Sequence, residues 1–152
     1  MVKWGDHMVT RRRNVLLCLL LAVLLFVVYR RVNPAQRLFA PGTVPSGVTA
    51  VSLELEEWSG VGEQAPPTEQ VSVDPAEFFR IMGGAEYRRA LFPPEKWFGP
   101  EDFPLVRFTI VSDAGETRGL LCAGRAYLYW NDQCYSLPGG GPYEPLRELI
   151  SN

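Results

Sequence analysis

The sequence predicts an α+β domain behind a single N-terminal transmembrane helix. Three observations predict this architecture: an uncharged apolar run at residues 14–29, apolar and polar residues that alternate around positions 50–56 and 105–112, and closely spaced turn signals after position 112. Alternation and tight turns are typical of an antiparallel meander, and two short segments with apolar residues at helical spacing predict helices that pack on the sheet.

The apolar run lies between Arg11, Arg12 and Arg13 on one side and Arg30 and Arg31 on the other. Its 16 residues would form about 24 Å of helix, which is short against a hydrocarbon core of about 30 Å, but flanking arginines can place their charges among the headgroups. We therefore expect a transmembrane anchor that contacts membrane lipid. A cleavable signal peptide is the alternative, although the arginines that follow directly and the lack of a small-x-small cleavage site favour the anchor.

Charge on the two sides of the anchor predicts its orientation. Four Lys/Arg side chains precede the run and three follow it at comparable distance, so the positive-inside rule favours a cytoplasmic N-terminus. Residues 38–152 contain 8 Lys/Arg against 16 Asp/Glu. Such an acidic domain lacks the basic surface that nucleic acids require, and no nucleic-acid partner is expected.

Composition divides the chain into four predicted regions. Residues 1–13 form a basic cytoplasmic N-terminus and residues 14–31 the anchor. Residues 32–47, rich in proline and glycine and poor in periodic apolar residues, are predicted to be a tether. Residues 48–152 are then long enough for one extracytoplasmic domain with a modest core.

The elements of this domain follow in chain order. Alternating residues predict a first strand at 50–56, and a second, shorter strand is expected at 70–73. Asp74 as N-cap, Pro75 at the first helical position and Glu77 three residues after the cap predict a helix that Gly83 and Gly84 end. A further helical turn is expected within residues 85–91. Strands at 105–112, 117–123, 126–130 and 133–137 form the meander, and residues 145–150 form a closing helix.

This arrangement resembles small tethered ectodomains of uncharacterised Gram-positive bacterial membrane proteins. The features that carry the resemblance are the basic-flanked helix, the tether, the D-P-A-E-F-F helix start and a meander that ends in Y-L-Y-W-N-D-Q-C-Y-S-L. The resemblance implies an extracytoplasmic location and no catalytic residue.

Few residues of the domain suggest chemistry. The only histidine is His7, which precedes the anchor, so histidine-based nucleophilic pairs and the usual zinc ligand sets are not available to residues 38–152. We expect no catalytic residue, cofactor or metal. Cys122 and Cys134 are predicted to lie on strands separated by a third, beyond disulfide reach and therefore as thiols. A carboxylate pair could still perform acid–base chemistry.

The segment 92–104 is the strongest candidate for an interaction site. It combines four prolines with four aromatic residues, and exposed aromatic side chains commonly anchor interfaces. Trp97, Phe98 and Phe103 are the residues that would contact a protein partner. The alternative, which a domain short of core favours, is a loop that folds over an open end of the sheet and whose aromatic residues complete the small core. The sequence therefore predicts a single-pass, non-enzymatic binding or structural module of the cell envelope. The alternative is an envelope enzyme or enzyme inhibitor that uses surface carboxylates.

Overall fold

A computed structural model describes residues 4–58, 70–90, 102–122, 126–138 and 141–151, with side chains from residue 12 onward. It divides into two compact units, residues 1–34 and residues 35–152. The first contains helix α1 (Trp4–Val32). We call the second the domain; its elements are β1 (Val48–Glu56), β2 (Gln70–Val73), α2 (Pro75–Gly83), β3 (Arg88–Arg89), β4 (Leu105–Ser112), β5 (Gly115–Cys122), β6 (Tyr127–Trp130), β7 (Gln133–Ser136) and α3 (Tyr143–Ser151).

Helix α1 has the length and composition of a membrane span. Its segment Arg12–Val32 has 21 residues, and the most apolar 18-residue stretch within it has a mean hydropathy of 2.5. A helix of 21 residues measures about 31 Å, close to the thickness of the hydrocarbon core. The leucine, valine and phenylalanine side chains between positions 15 and 28 are 50–62% exposed. Because a signal sequence near the N-terminus can also form an apolar helix, these features are those of a membrane anchor or a signal sequence.

The helix is longer than the predicted anchor. It begins at Trp4, ten residues before the apolar run. No proline interrupts residues 1–33, and arginine is a good helix former, so the basic segment continues the helix. At the other end, the backbone N–H of Asn33 donates to the carbonyl of Tyr29 (2.8 Å), and Pro34 follows.

The seven strands form one antiparallel sheet in the order β2-β1-β4-β5-β6-β7-β3. Strands β4 to β7 are neighbours in both sequence and space, which confirms the predicted meander. The β6–β7 turn consists of Asn131 and Asp132, whose φ angles are +49° and +57°. Two consecutive positive φ values are typical of tight hairpin turns, and Asn and Asp tolerate them better than most residues.

One face of the sheet carries the core. Alternate residues of β1 and β4 point to it: Val51, Leu53, Val106, Phe108 and Ile110 are all buried. Helices α2 and α3 pack over this face and against each other, and their own buried side chains include Phe78, Phe79, Met82 and Leu146. The α+β fold, with short helices on one face of an antiparallel meander, is thus confirmed.

A glycine makes room for the aromatic part of this core. Phe108, Gly119 and Trp130 are paired across β4, β5 and β6. A Cβ atom at Gly119 would meet ring atoms of Phe108 at 2.1–2.7 Å, and the Phe108 and Trp130 rings stack at 5.2 Å between centroids. Trp130 packs on the core face while staying half-buried.

Helix α2 begins as predicted. The carboxylate of Asp74 accepts a hydrogen bond from the backbone N–H of Ala76 (3.0 Å) and Pro75 occupies the first turn. An N-cap of this kind contributes about 1 kcal/mol to helix stability.

Two expectations are corrected. The helical turn within residues 85–91 is wrong: Tyr87 forms an isolated bridge with Gln36, and Arg88 and Arg89 form strand β3. The predicted tether at 32–47 is also only partly separate from the domain. Phe39 is buried, with ring centroids 5.9 Å from Tyr87 and 5.4 Å from Trp130. One aromatic side chain without periodicity gave no sequence signal, but its burial fixes the segment onto the core.

Candidate functional site

Two aromatic side chains meet where β1 ends and β4 begins. The sheet register pairs Glu56 with Leu105, and two more residues along each strand lead to Trp58 and Phe103. Their rings contact edge to face at 5.2 Å between centroids. Trp58 is 41% exposed and is the one large hydrophobic side chain in the described part of the domain that is exposed. We call Trp58 and Phe103 the aromatic edge.

The chain around Phe103 is held firmly. The hydroxyl of Tyr143, on α3, donates to the carbonyl of Pro104 (2.9 Å). Leu105 is 1% exposed and Asp102 is 2% exposed. The backbone on both sides of Phe103 is therefore restrained, which limits the positions available to the ring that contacts Trp58. A preorganised aromatic pair loses little conformational entropy when a partner binds.

Ion pairs accompany the aromatic edge on the adjoining strands. The Nη2 atom of Arg107 lies 2.8 Å from a carboxylate oxygen of Glu56. A second carboxylate, from Glu54, lies 4.0 Å from Nε of the same arginine. These side chains are partly exposed, so their contribution to folding stability is small. Because two carboxylates surround one arginine, this part of β1 and β4 carries a net negative charge beside Trp58.

The predicted binding residues meet different outcomes. Phe103 is half-buried in the aromatic edge, while Trp97 and Phe98 lie outside the described residues. Sequence reasoning missed Trp58. The sequence did contain a signal for Trp58. A tryptophan that directly follows an alternating strand and two glutamates lies at the margin of the sheet, where the core no longer covers it.

The membrane-flanking arginines all lie in α1. Arg12, Arg13, Arg30 and Arg31 are exposed, whereas the side chain of Arg11 lies outside the described part. The guanidinium carbon of Arg30 is 5.5 Å from the centroid of the Phe26 ring. At this distance a cation–π contact holds the positive charge of Arg30 at the end of the apolar segment.

Two thiols lie on the sheet face opposite the core. Cys122 pairs with Tyr127, and Cys134 pairs with Tyr129 on the other side of the same strand. Both are buried and neither forms a disulfide, which agrees with the prediction of two thiols. Burial raises the pKa of Cys134, against the weaker effect of its hydrogen bond with Tyr129. A thiol that stays protonated is a poor nucleophile, which makes Cys134 a weak candidate for thiol catalysis.

A cleft formed by described residues is lined by one carboxylate, that of Glu86, together with Arg37 and Arg80. Hydrolysis of the glycosidase type needs two carboxylates. Within the described ranges, no three His, Cys, Asp or Glu side chains come close enough to hold a metal ion.

Comparison with known proteins gives no family for this chain. No protein-family model matches it, and no curated protein and no solved structure is significantly similar to it. Function is therefore inferred from the geometry of α1 and of the aromatic edge.

Proposed function

We propose that this protein is a single-pass membrane protein whose N-terminus is cytoplasmic and whose domain is extracytoplasmic. The observation that supports it is the 21-residue apolar segment of α1, with its side chains exposed on all sides. A helix without an apolar partner needs a nonpolar solvent, and the bilayer supplies one. The excess of basic residues before the segment favours this orientation.

The domain, in this proposal, is a non-enzymatic binding or structural module of the cell envelope. Its contact with another envelope protein is the aromatic edge. An exposed tryptophan supported by a fixed second ring is the arrangement from which interface hot spots are built. The neighbouring carboxylates of Glu54 and Glu56 would favour a partner segment with basic side chains, because opposite charges accelerate association and select the partner.

The aromatic edge is tested by Trp58→Ser in the full chain. Since Trp58 is 41% exposed, we expect the free energy of unfolding to change by less than about 1 kcal/mol. Loss of a hot-spot tryptophan costs about 2 kcal/mol or more of binding energy, which is about a thirtyfold loss of affinity. Chemical cross-linking in native membranes followed by affinity capture should therefore yield much less of the co-purifying envelope protein.

Trp58→Tyr is the matched control, because it keeps an aromatic ring on Phe103 and should retain most of the captured partner. The same partner at the same yield from Trp58→Ser would contradict binding through this edge. A large fall in thermal stability of Trp58→Ser would instead assign the edge to the core.

A further inference from the structure

A cleft of about 550 Å³ opens between three segments of the domain. One wall is Arg37, a second is the end of α2 with the residues after it, and the third is the chain before α3 with the first turn of that helix. Its volume falls within the range of about 300–1,000 Å³ that small-molecule sites occupy. The cleft is therefore large enough for a small ligand or a lipid headgroup.

Two opposite charges face this cleft as neighbours. Gln36 and Tyr87 form an antiparallel bridge in which each backbone N–H donates to the other's carbonyl at 2.8 Å. Arg37 follows Gln36 and Glu86 precedes Tyr87, so the register places Arg37 and Glu86 across from each other. Both side chains are exposed and both line the cleft. Among the described residues neither forms an ion pair with the other or with a third group.

A second cation is fixed at the same place. Arg80 donates from Nε (2.8 Å) and Nη2 (2.6 Å) to the two carboxylate oxygens of Glu77. This bidentate contact orients the guanidinium plane and leaves the two N–H groups of Nη1 for other acceptors. Arg80 lines the cleft and can donate there without giving up its contact with Glu77.

Three prolines, Pro138, Pro142 and Pro145, line the third wall. Proline restricts the backbone at its own position before a ligand binds, which lowers the entropy cost of binding at those positions.

The charges match a zwitterion that has one anionic and one cationic end. An anion alone would meet Glu86, and a cation alone would meet the two arginines. Phosphate is an anion that guanidinium groups bind by parallel hydrogen bonds, and a primary ammonium complements a carboxylate. Phosphoethanolamine unites these two groups in a molecule that the cleft can hold.

The position of Arg37 in the chain indicates the source of such a group. Arg37 is five residues after Val32, the end of α1, and five residues span at most about 17 Å. If α1 is embedded in a bilayer, as the proposed function states, Arg37 cannot leave the vicinity of the headgroups. We propose that the cleft binds the headgroup of phosphatidylethanolamine, with the phosphate on Arg37 and Arg80 and the ammonium on Glu86.

The first experiment uses the full chain in dodecyl maltoside micelles with glycerophosphoethanolamine as a soluble probe. Ligand at ten times its Kd should raise the thermal midpoint by about 4 °C. Arg37→Gln and Glu86→Gln should each weaken the Kd by about tenfold or more, because each removes a charge-assisted contact. Arg118→Gln and Glu116→Gln are matched controls from an exposed ion pair on β5, and they should bind the probe as the wild type does.

Glycerol phosphate, ethanolamine and glycine, tested in the same way, should each bind at least tenfold more weakly. Equal stabilisation by glycerol phosphate would overturn the zwitterion in favour of a simple anion site, and equal stabilisation by glycine would overturn phosphate recognition. No stabilisation by any probe would overturn the site. These results do not depend on where α1 resides, so they leave the proposed function untouched.

A second experiment tests the lipid source in nanodiscs. The thermal midpoint of the wild type should be higher in discs that contain phosphatidylethanolamine than in discs of phosphatidylcholine alone, whose trimethylated amine cannot donate to Glu86. Arg37→Gln should remove this difference, whereas Arg118→Gln should keep it. Binding of the soluble probe without any difference between discs would overturn the lipid and assign the cleft to a free phosphoethanolamine compound.

Discussion

Helix α1 and the sheet of the domain are built from similar apolar residues in opposite surroundings. Leu21 of α1 is 57% exposed, whereas Leu121 of β5 is 0% exposed. In the domain, alternation directs each leucine or valine to one face of a sheet, where helices cover it. In α1 the apolar residues surround the helix and no protein covers them. Identical side chains therefore need different solvents, and this difference is the physical basis for treating α1 as a membrane segment.

The largest expected effect comes from comparing one leucine-to-aspartate substitution in the domain with one in α1. Leu121→Asp places an unpaired carboxylate in the core and should cost about 4 kcal/mol or more, enough to unfold most of the domain. Leu21→Asp should leave the thermal midpoint of the domain unchanged but cost about 3 kcal/mol of membrane insertion. Circular dichroism melting and the membrane-bound fraction, measured on both variants, check the pair. A destabilised domain in Leu21→Asp would mean that α1 belongs to the core.

The second prediction sharpens the border between the regions. A fragment of residues 35–152 keeps Phe39, and a fragment of residues 44–152 lacks it. Removing this buried ring should cost about 3–5 kcal/mol, as a Phe→Ala change in a core does. Urea unfolding of the two fragments measures the difference. Phe39→Ala in the longer fragment should account for most of it, and the remainder belongs to the Gln36–Tyr87 bridge, which the shorter fragment also lacks. Equal unfolding free energies for the two fragments would mean that residues 35–43 act only as a tether.

The third prediction tests how tightly the covered region is packed. Gly119→Ala would bring its Cβ to 2.1 Å from Cζ of Phe108, so the ring must move and the variant should lose about 1–3 kcal/mol. Phe108→Leu vacates that space, and the double variant should lose less than the sum of the single variants. If urea unfolding shows that the two losses of unfolding free energy are additive, Gly119 is not needed to accommodate the Phe108 ring.

Much of the fold was predictable because its signals are local. The N-cap at Asp74, the turn at Asn131 and Asp132, and the alternation in β4 each depend on a few adjacent residues. The predictions that failed concern segments held by long-range contacts. The bridge between Gln36 and Tyr87 joins residues 51 apart in sequence, and neither residue belongs to a periodic run. Tertiary pairing of this kind overrides the local preference for a helical turn after α2.

The candidate site was less predictable for the same reason. The composition of residues 92–104 pointed to aromatic contacts, and Phe103 takes part in one. Its partner Trp58 comes from another strand, and only the register of β1 and β4 brings the two rings together. Arg37 and Glu86 likewise become neighbours through a bridge that no sequence motif announces. Sites assembled across strands need the register before they can be recognised.

The most direct test of the account is the topology of the full-length chain in intact cells. Two reporter variants, Lys3→Cys and Glu116→Cys, both with Cys18→Ser, are treated with a membrane-impermeant maleimide. Each retains Cys122 and Cys134, which are buried and should not react. The account predicts that full-length protein stays in carbonate-washed membranes, that Glu116→Cys is labelled, and that Lys3→Cys is labelled only after the cells are opened. A shortened protein in the soluble fraction, or labelling of Lys3→Cys alone, would contradict a membrane-anchored extracytoplasmic domain.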